Sequence, residues 1–250
     1  MRKKVIVLGG SSGIGKAIAE RFAKEGWLVI VSSSNLAATQ KVVDGLEGAG
    51  HIAVSADVTS DEQIEDLKKL VKEKFTSFHV LINSVGMSKS VPVLDSDFSE
   101  WDRSLQVMLY GAVRACRSLI PLMEDGGRII HVTSIHHERV AKGSSAYGMA
   151  KAAITQLTRS LAVELAPRNI LANTISPGFV DTPMSVKEDG KNELESEWFK
   201  DNYIKYDHLP LKRAGKPEEV AGVAWFLAGP DASYMTGSIV TVDGGLTITF

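Results

Sequence analysis

The feature that most constrains the fold of this 250-residue chain is a regular alternation of short β-branched runs with longer stretches of helical periodicity. KVIVLG at residue 4 leads into a helix from about Ile14 to Lys24, and LVIVS at 28 into one from about Ala37 to Leu46. HIAVSA at 51 precedes a helix from about Asp61 to Phe75, and HVLIN at 79 precedes a long one from about Phe98 to Met123. RIIHVTS at 128 leads to a helix from Ala146 to Leu165 and then ILANTIS. A last helix from Pro217 to Leu227 precedes SIVTVDGG. Strands this uniformly apolar are buried on both faces, which requires a parallel sheet covered by helices on each side. Right-handed crossovers then wind the chain into a doubly wound α/β sheet. No linker, repeat or low-complexity stretch interrupts the rhythm, so a single domain is expected over residues 1–250.

Composition narrows the functional classes. A charged fraction of 23%, a hydrophobic fraction of 44% and a net charge of −2 describe an ordinary globule with no electrostatic attraction for nucleic acid or anionic membrane. No run of apolar residues reaches the length of a membrane span. The basic start MRKK leads directly into a strand and glycines rather than a secretory leader. The single Cys116 excludes an internal disulfide framework and fits a reducing, cytoplasmic setting. It lies in an apolar helical pattern and reads as core. No cluster suggests a metal site.

Two patterns carry chemistry. In LGGSSGIGKAIA, Gly9, Gly13 and Gly15 permit a tight turn between the first strand and first helix, and Ser11, Ser12 and Ile14 complete the turn. Such a turn lets backbone amides at a helix start approach a pyrophosphate, as in a Rossmann nucleotide site. At the end of the second strand, Ser33, Ser34 and Asn35 stand where an acid would otherwise hold an adenosine ribose. No carboxylate is present to repel a 2′-phosphate, and hydroxyls and an amide can donate to one, so NADP(H) is favoured over NAD(H), though no arginine attracts it. In SSAYGMAKAAI, Tyr147 and Lys151 are four residues apart on one helical face.

Over essentially its whole length the chain resembles the short-chain dehydrogenase/reductase family. The matching pieces are GGSSGIG, ADV at 56–58, INSVG at 82–86, Ser134, YGMAK, ISPGFVDTPM at 175–184 and LKRAGKPEEVAGVAWFLAGPDASYMTGSIVTVDGG. The resemblance implies hydride transfer between nicotinamide C4 and a carbonyl or carbinol carbon. It implies Tyr147 as the general acid/base, Lys151 lowering the phenol's pKa and gripping the nicotinamide ribose, and Ser134 holding the substrate oxygen. It further implies that Asp57 and Val58 border the adenine and that Asn83 and Gly86 line the cleft. Pro177, Gly178, Val180 and Thr182 would cover the nicotinamide. A homo-oligomer, commonly a tetramer, is also implied, built through the long helices and an apolar C-terminal strand carrying Leu246, Ile248 and Phe250.

The chain also departs from the family. Leu8 replaces a usual Thr, and NSVG replaces Asn-Asn-Ala-Gly. Met108 stands where the family's fourth catalytic residue, an Asn, is expected, and a thioether cannot donate a hydrogen bond. Gln106 is too far around the helix to substitute. The substrate region is less determined. His136 and Glu138 follow Ser134 in an arrangement similar to aldose 1-dehydrogenases, and with His208 they could bind hydroxyls; structural roles for these histidines stay open. The charged, aromatic segment 184–210 reads either as a substrate lid or as a solvated helix with a packed aromatic stripe. A small-molecule alcohol, ketone or sugar is thus the expected substrate. The alternatives are a 3-oxoacyl thioester, or a nucleotide-binding regulatory module without turnover.

Overall fold

β1 (Lys4–Leu8) lies at the centre of the sheet because its residues are apolar on both faces. Val5 and Val7 enter one core and Ile6 and Leu8 the other, following the two-residue period of a strand. The computed structural model describes residues 2–87, 91–187 and 189–249. In chain order, β1 is followed by α1 (Gly13–Lys24), β2 (Leu28–Ser33), α2 (Leu36–Asp44), β3 (Ile52–Ser55), α3 (Asp61–Phe75) and β4 (Phe78–Asn83). Then come α4 (Phe98–Leu105), a π-helical turn (Gln106–Tyr110), α5 (Gly111–Leu119), β5 (Met123–Val132), α6 (Ser145–Glu164) and β6 (Leu171–Pro177). The single turn α7 (Glu197–Phe199), α8 (Pro217–Ala228) and β7 (Ile239–Val242) complete the α-helices and strands.

The seven strands pair in parallel in the order β3-β2-β1-β4-β5-β6-β7. This is the doubly wound α/β arrangement expected from the sequence, with the order reversing between β1 and β4. One core packs α1 and α8 on the sheet through Phe22, Trp27, Val220 and Leu227. The Phe22 ring meets Trp27 and Trp225 edge-on at 5.1 and 5.2 Å, and such pairs add about 0.5–1.5 kcal/mol beyond area burial. The other core packs α3, α5 and α6 on the opposite face through Leu67, Val71, Leu119 and Leu161. Cys116 is buried there, and burial pushes its thiol up to about 12, so it is core as expected. Among the described residues, no helix is long and apolar enough to cross a membrane.

Two expectations are corrected. The helix expected over 98–123 is broken by the π-turn and gives way to a 3-10 turn at Ile120–Leu122, where Pro121 removes a backbone donor. The expected C-terminal strand is instead a 3-10 turn, Leu246–Ile248, in which Asp243 accepts from the backbone N–H groups of Gly245 and Thr247. Ile248 is exposed, and Phe250 lies outside the described residues. The described residues of segment 184–210 form several short helical turns rather than one continuous helix. Phe199 is buried, and Phe179, Phe199 and Tyr203 form an aromatic cluster that anchors short helical turns.

A methyl group added to Gly15 would lie 2.3 Å from the Gly9 carbonyl oxygen, whereas one added to Gly222 in α8 meets nothing within 4 Å. Gly15→Ala is therefore expected to cost about 1–3 kcal/mol as overpacking. Gly222→Ala should be neutral or gain about 0.5–1 kcal/mol from helix propensity. Calorimetric unfolding of the two variants checks this; equal effects would contradict the account of the turn.

Candidate functional site

Most of the sequence-predicted residues lie at or just beyond the carboxyl ends of the strands, the edge where such sheets bind ligands. Between β1 and α1, Gly9 and Gly13 have φ values of 73° and 51°, which side chains rarely adopt. The Gly9 and Gly10 amides donate to Ser32 O at 2.8 and 3.2 Å and fix the turn. Ser12 is the N-cap of α1, yet its side chain makes no capping bond and the first turn holds no acid. The first amides of α1 are thus left for an anion. Across the cleft, a methyl group on Gly13 would come within 3.2 Å of Thr182. The Pro177–Thr182 segment after β6 therefore reaches over the glycine turn. Gly178 is held against Asp243, where a Cβ would lie 2.8 Å away. Val180 is buried.

Beside the glycine turn, β2 and β3 end in register at Ser33 and Ser55. The Asp57 carboxylate accepts from Thr59 N and Oγ1, both at 2.8 Å. These bonds hold its pKa below the usual carboxylate value. Val58 is buried. The Ser33 hydroxyl is committed locally: it accepts from Asn35 N at 3.1 Å and bonds Thr39 Oγ1 at 2.8 Å. Asn35 Oδ1 caps α2 by accepting from Ala38 N at 3.0 Å. The Asn35 Nδ2 and the exposed Ser34 hydroxyl remain as outward donors, so Ser33 shapes the turn and its two neighbours face solvent. The uncapped α1 amides, the glycine cradle and this acid-free corner fit a dinucleotide.

Deeper in the cleft, Asn83 Oδ1 accepts from Val85 N at 3.2 Å and shapes the turn after β4. Gly86 faces Lys151, whose Nζ would lie 3.8 Å from an added Cβ. Lys151 is only 3% exposed. Its ammonium donates to Val132 O at 3.1 Å and Val85 O at 3.5 Å and stands 5.6 Å from the centre of the Tyr147 ring. Burial pushes its pKa down to about 8. Burial raises the Tyr147 phenol, and a hydrogen bond to Ser134 only partly opposes that. The sequence predicts instead that Lys151 lowers the phenol's pKa. The difference is physical: two backbone carbonyls hold the ammonium, and burial governs both groups. Ser134 sits at 7% exposure just beyond β5, where its Oγ accepts from His136 N at 3.2 Å. As arranged, the pair presents a protonated phenol backed by a cation.

Met108 is fully buried in the π-turn, packed with Ala112, Ala150, Ile154 and the partly buried Tyr147. Gln106 Nε2 donates to Asp102 Oδ2 at 3.0 Å, so neither residue supplies an amide to the site. Sequence reasoning missed His131, whose only signal was a histidine inside an apolar strand. It is wholly buried, with Nδ1 2.7 Å from Thr158 Oγ1 and Nε2 3.7 Å from Cys116 Sγ. Thr158 Oγ1 donates to Ile154 O at 2.8 Å, which places the imidazole proton on Nδ1. Burial first, and then the Lys151 charge, lower His131 to about 4, so it remains neutral.

His136 meets the Tyr147 ring edge-on at 5.7 Å. Its Nδ1 is buried without a partner among the described residues, and burial lowers its pKa. His137 Nε2 is likewise buried and unpartnered among them. Glu138 is exposed. His208 belongs to a different loop, whose carbonyl at that residue accepts from Thr249 Oγ1 at 2.7 Å. Arg139 donates to Thr247 O. The C-terminal turn thus ties the loop after β5 to the loop carrying His208.

The family model described as Enoyl-(Acyl carrier protein) reductase matches residues 9–247. The 3-oxoacyl-(acyl-carrier-protein) reductase FabG of Thermotoga maritima is 35% identical, with 98% of each chain covered. The ligand-free aldohexose dehydrogenase of Thermoplasma acidophilum superposes with a TM-score of 0.85 at 33% identity, covering 100% of this chain and 95% of its own. A glucose/ribitol dehydrogenase of Brucella melitensis gives 0.89 at 29% identity, covering 98% and 99%. With the glycine turn, Ser134, Tyr147 and Lys151 set around one cleft, this chain belongs to the short-chain dehydrogenase/reductase family, oxidoreductases that act on CH–OH or keto groups with NAD(P).

Proposed function

We propose that this enzyme works as an NADP(H)-preferring carbonyl reductase on a small polar, polyhydroxylated substrate, with Tyr147 as proton donor. The observation that carries the reading is the partly buried Tyr147 beside the buried Lys151, with the phenol raised and the ammonium held by backbone carbonyls. A bound nicotinamide would supply the hydride from its C4. Ser134 Oγ holds the substrate oxygen, and Tyr147 Oη gives it a proton as the carbonyl becomes a carbinol. The phenolate left behind faces the Lys151 ammonium, which stabilises it until a proton returns. Lys151 also reaches the ribose side of the cleft beside Gly86. Asp57, Val58 and Asn83 border the nucleotide, and Pro177, Gly178, Val180 and Thr182 cover the nicotinamide end.

The unpartnered His136 Nδ1 beside Tyr147 supports a hydroxyl-bearing substrate, because a site with buried polar atoms disfavours analogues that leave them unpaired. Glu138 and His208 complete the polar side of this reading, with segment 184–210 as its lid. A second reading, a 3-oxoacyl-thioester reductase, is favoured by the exposed Met184, Val186 and Trp198 of that segment, which offer apolar surface to an acyl chain. A homotetramer accords with the exposed Phe98 on α4 and Met149 and Val163 on α6, and sedimentation of the purified chain tests it.

The direct test follows nicotinamide absorbance with aldoses, simple ketones and a 3-oxoacyl thioester. Tyr147→Phe is expected to lower kcat/KM by about 10²–10⁴-fold, the usual range for a positioned acid. Lys151 carries its charge below about pH 8 and loses it above. Reduction should therefore hold steady at neutral pH and fall as pH rises through about 8. Turnover that survives Tyr147→Phe, or that rises through this range, would overturn the assignment.

Cofactor choice has its own test. Asn35→Asp retains an N-cap for α2 while placing a carboxylate beside a 2′-phosphate. NADP⁺ affinity is expected to fall at least about tenfold, equivalent to about 1.4 kcal/mol, with NAD⁺ affinity unchanged or improved. Equal loss for both cofactors would contradict the NADP(H) preference.

A further inference from the structure

At the opposite edge of the sheet, where β1, β4 and β5 begin, a hollow of about 190 Å³ opens beside the ends of α1 and α8. Trp27, Val80 and Ala228 supply apolar walls, and Lys3, His79 and Arg128 supply polar ones. Trp27 forms a ring platform: Lys3 Nζ stands 5.3 Å from its centre, and His79 meets it edge-on at 6.1 Å. His79 Nδ1 accepts from Lys4 N at 3.3 Å, and burial lowers the imidazole's pKa, so it is neutral with its proton on Nε2. Arg128 Nη1 donates to Gly126 O at 2.5 Å and Gly127 O at 3.0 Å, while its Nε is buried without a partner among the described residues.

The charges are unbalanced. Neither Arg128 nor Lys3 forms an ion pair among the described residues, and the Arg128 Nε is buried. No acid lines the hollow. Glu124 acts on His79 but takes the Ser77 hydroxyl and is not part of the wall. The carboxyl end of α8 reaches it, and a helix end carries about half a negative charge, less than the two full cations. The polar side is therefore cationic, lined by Lys3 and the Arg128 guanidinium, with the neutral His79 beside them. The apolar side offers a flat indole. A bare inorganic anion would satisfy the first and leave the second dry and unfilled, and a nucleotide exceeds the space.

We propose that this hollow is a second ligand site, separate from the nicotinamide cleft, for a small organic carboxylate with a flat apolar body. The carboxylate binds Arg128 and Lys3, and the ring lies against Trp27. A neutral amide is a poorer match, because it offers one acceptor oxygen in place of two and no charge to complement Arg128 and Lys3.

The test is a titration of the purified chain with benzoate, benzamide and inorganic phosphate, followed by the indole N–H resonance of Trp27, assigned through Trp27→Phe. Benzoate is expected to shift that resonance saturably in the millimolar range, and neither benzamide nor phosphate should. Lys3→Gln, at an exposed position, and Ala228→Leu, which fills the hollow, should each weaken benzoate at least about tenfold. NADPH binding should be unchanged. Lys3→Gln alone decides the matter should Ala228→Leu fail to fold. The proposal is overturned by a non-saturating benzoate response, by benzamide or phosphate binding as well as benzoate, or by benzoate affinity that Lys3→Gln leaves intact.

Discussion

The rest of the site depends on a buried ammonium. Lys151 lies at 3% exposure with no carboxylate beside it, and taking an ion out of water costs several kcal/mol even after relaxation. The fold offsets that cost with two backbone carbonyls, Val132 O at the end of β5 and Val85 O just after β4. Both are available only because these strands end side by side in parallel register and α6 lies across them. The sheet's ordinary work, burying Ile6, Leu81 and Ile129, therefore also sets the distance between a cation and a phenol.

The same arrangement explains which neighbours are tolerated. Polar groups near Lys151 are neutral and internally paired: His131 gives its proton to Thr158, and Thr158 gives its own to Ile154 O. A charged imidazole there would add repulsion to an already costly ammonium, and burial keeps it neutral. Met108 continues the pattern on the helical side, closing the π-turn with a thioether that neither competes for the ammonium nor relays its proton.

Much of this was legible in the sequence because the signals were local. Short, uniformly apolar β-branched runs marked the strands, glycines marked the turn, and a spacing of four put Tyr147 and Lys151 on one face. What was not legible depended on contacts distant in sequence. His131 looked like one residue of an apolar strand until Thr158 and Cys116 were placed beside it. The C-terminal LTITF was expected as a strand from the family resemblance, but Asp243 bonds to Gly245 and Thr247 turn it into a 3-10 turn. The phenol's raised pKa was missed for a similar reason. Spacing shows that a lysine is near, but not that backbone carbonyls already hold it.

The most direct measurement is the titration of the Lys151 ammonium itself, by ¹⁵N-detected NMR of the side-chain Nζ, assigned through Lys151→Met. The account predicts a single buried lysine that loses its proton near pH 8, well separated from the others. A Lys151 resonance that titrates together with the surface lysines, near their usual value of about 10.4, would contradict it.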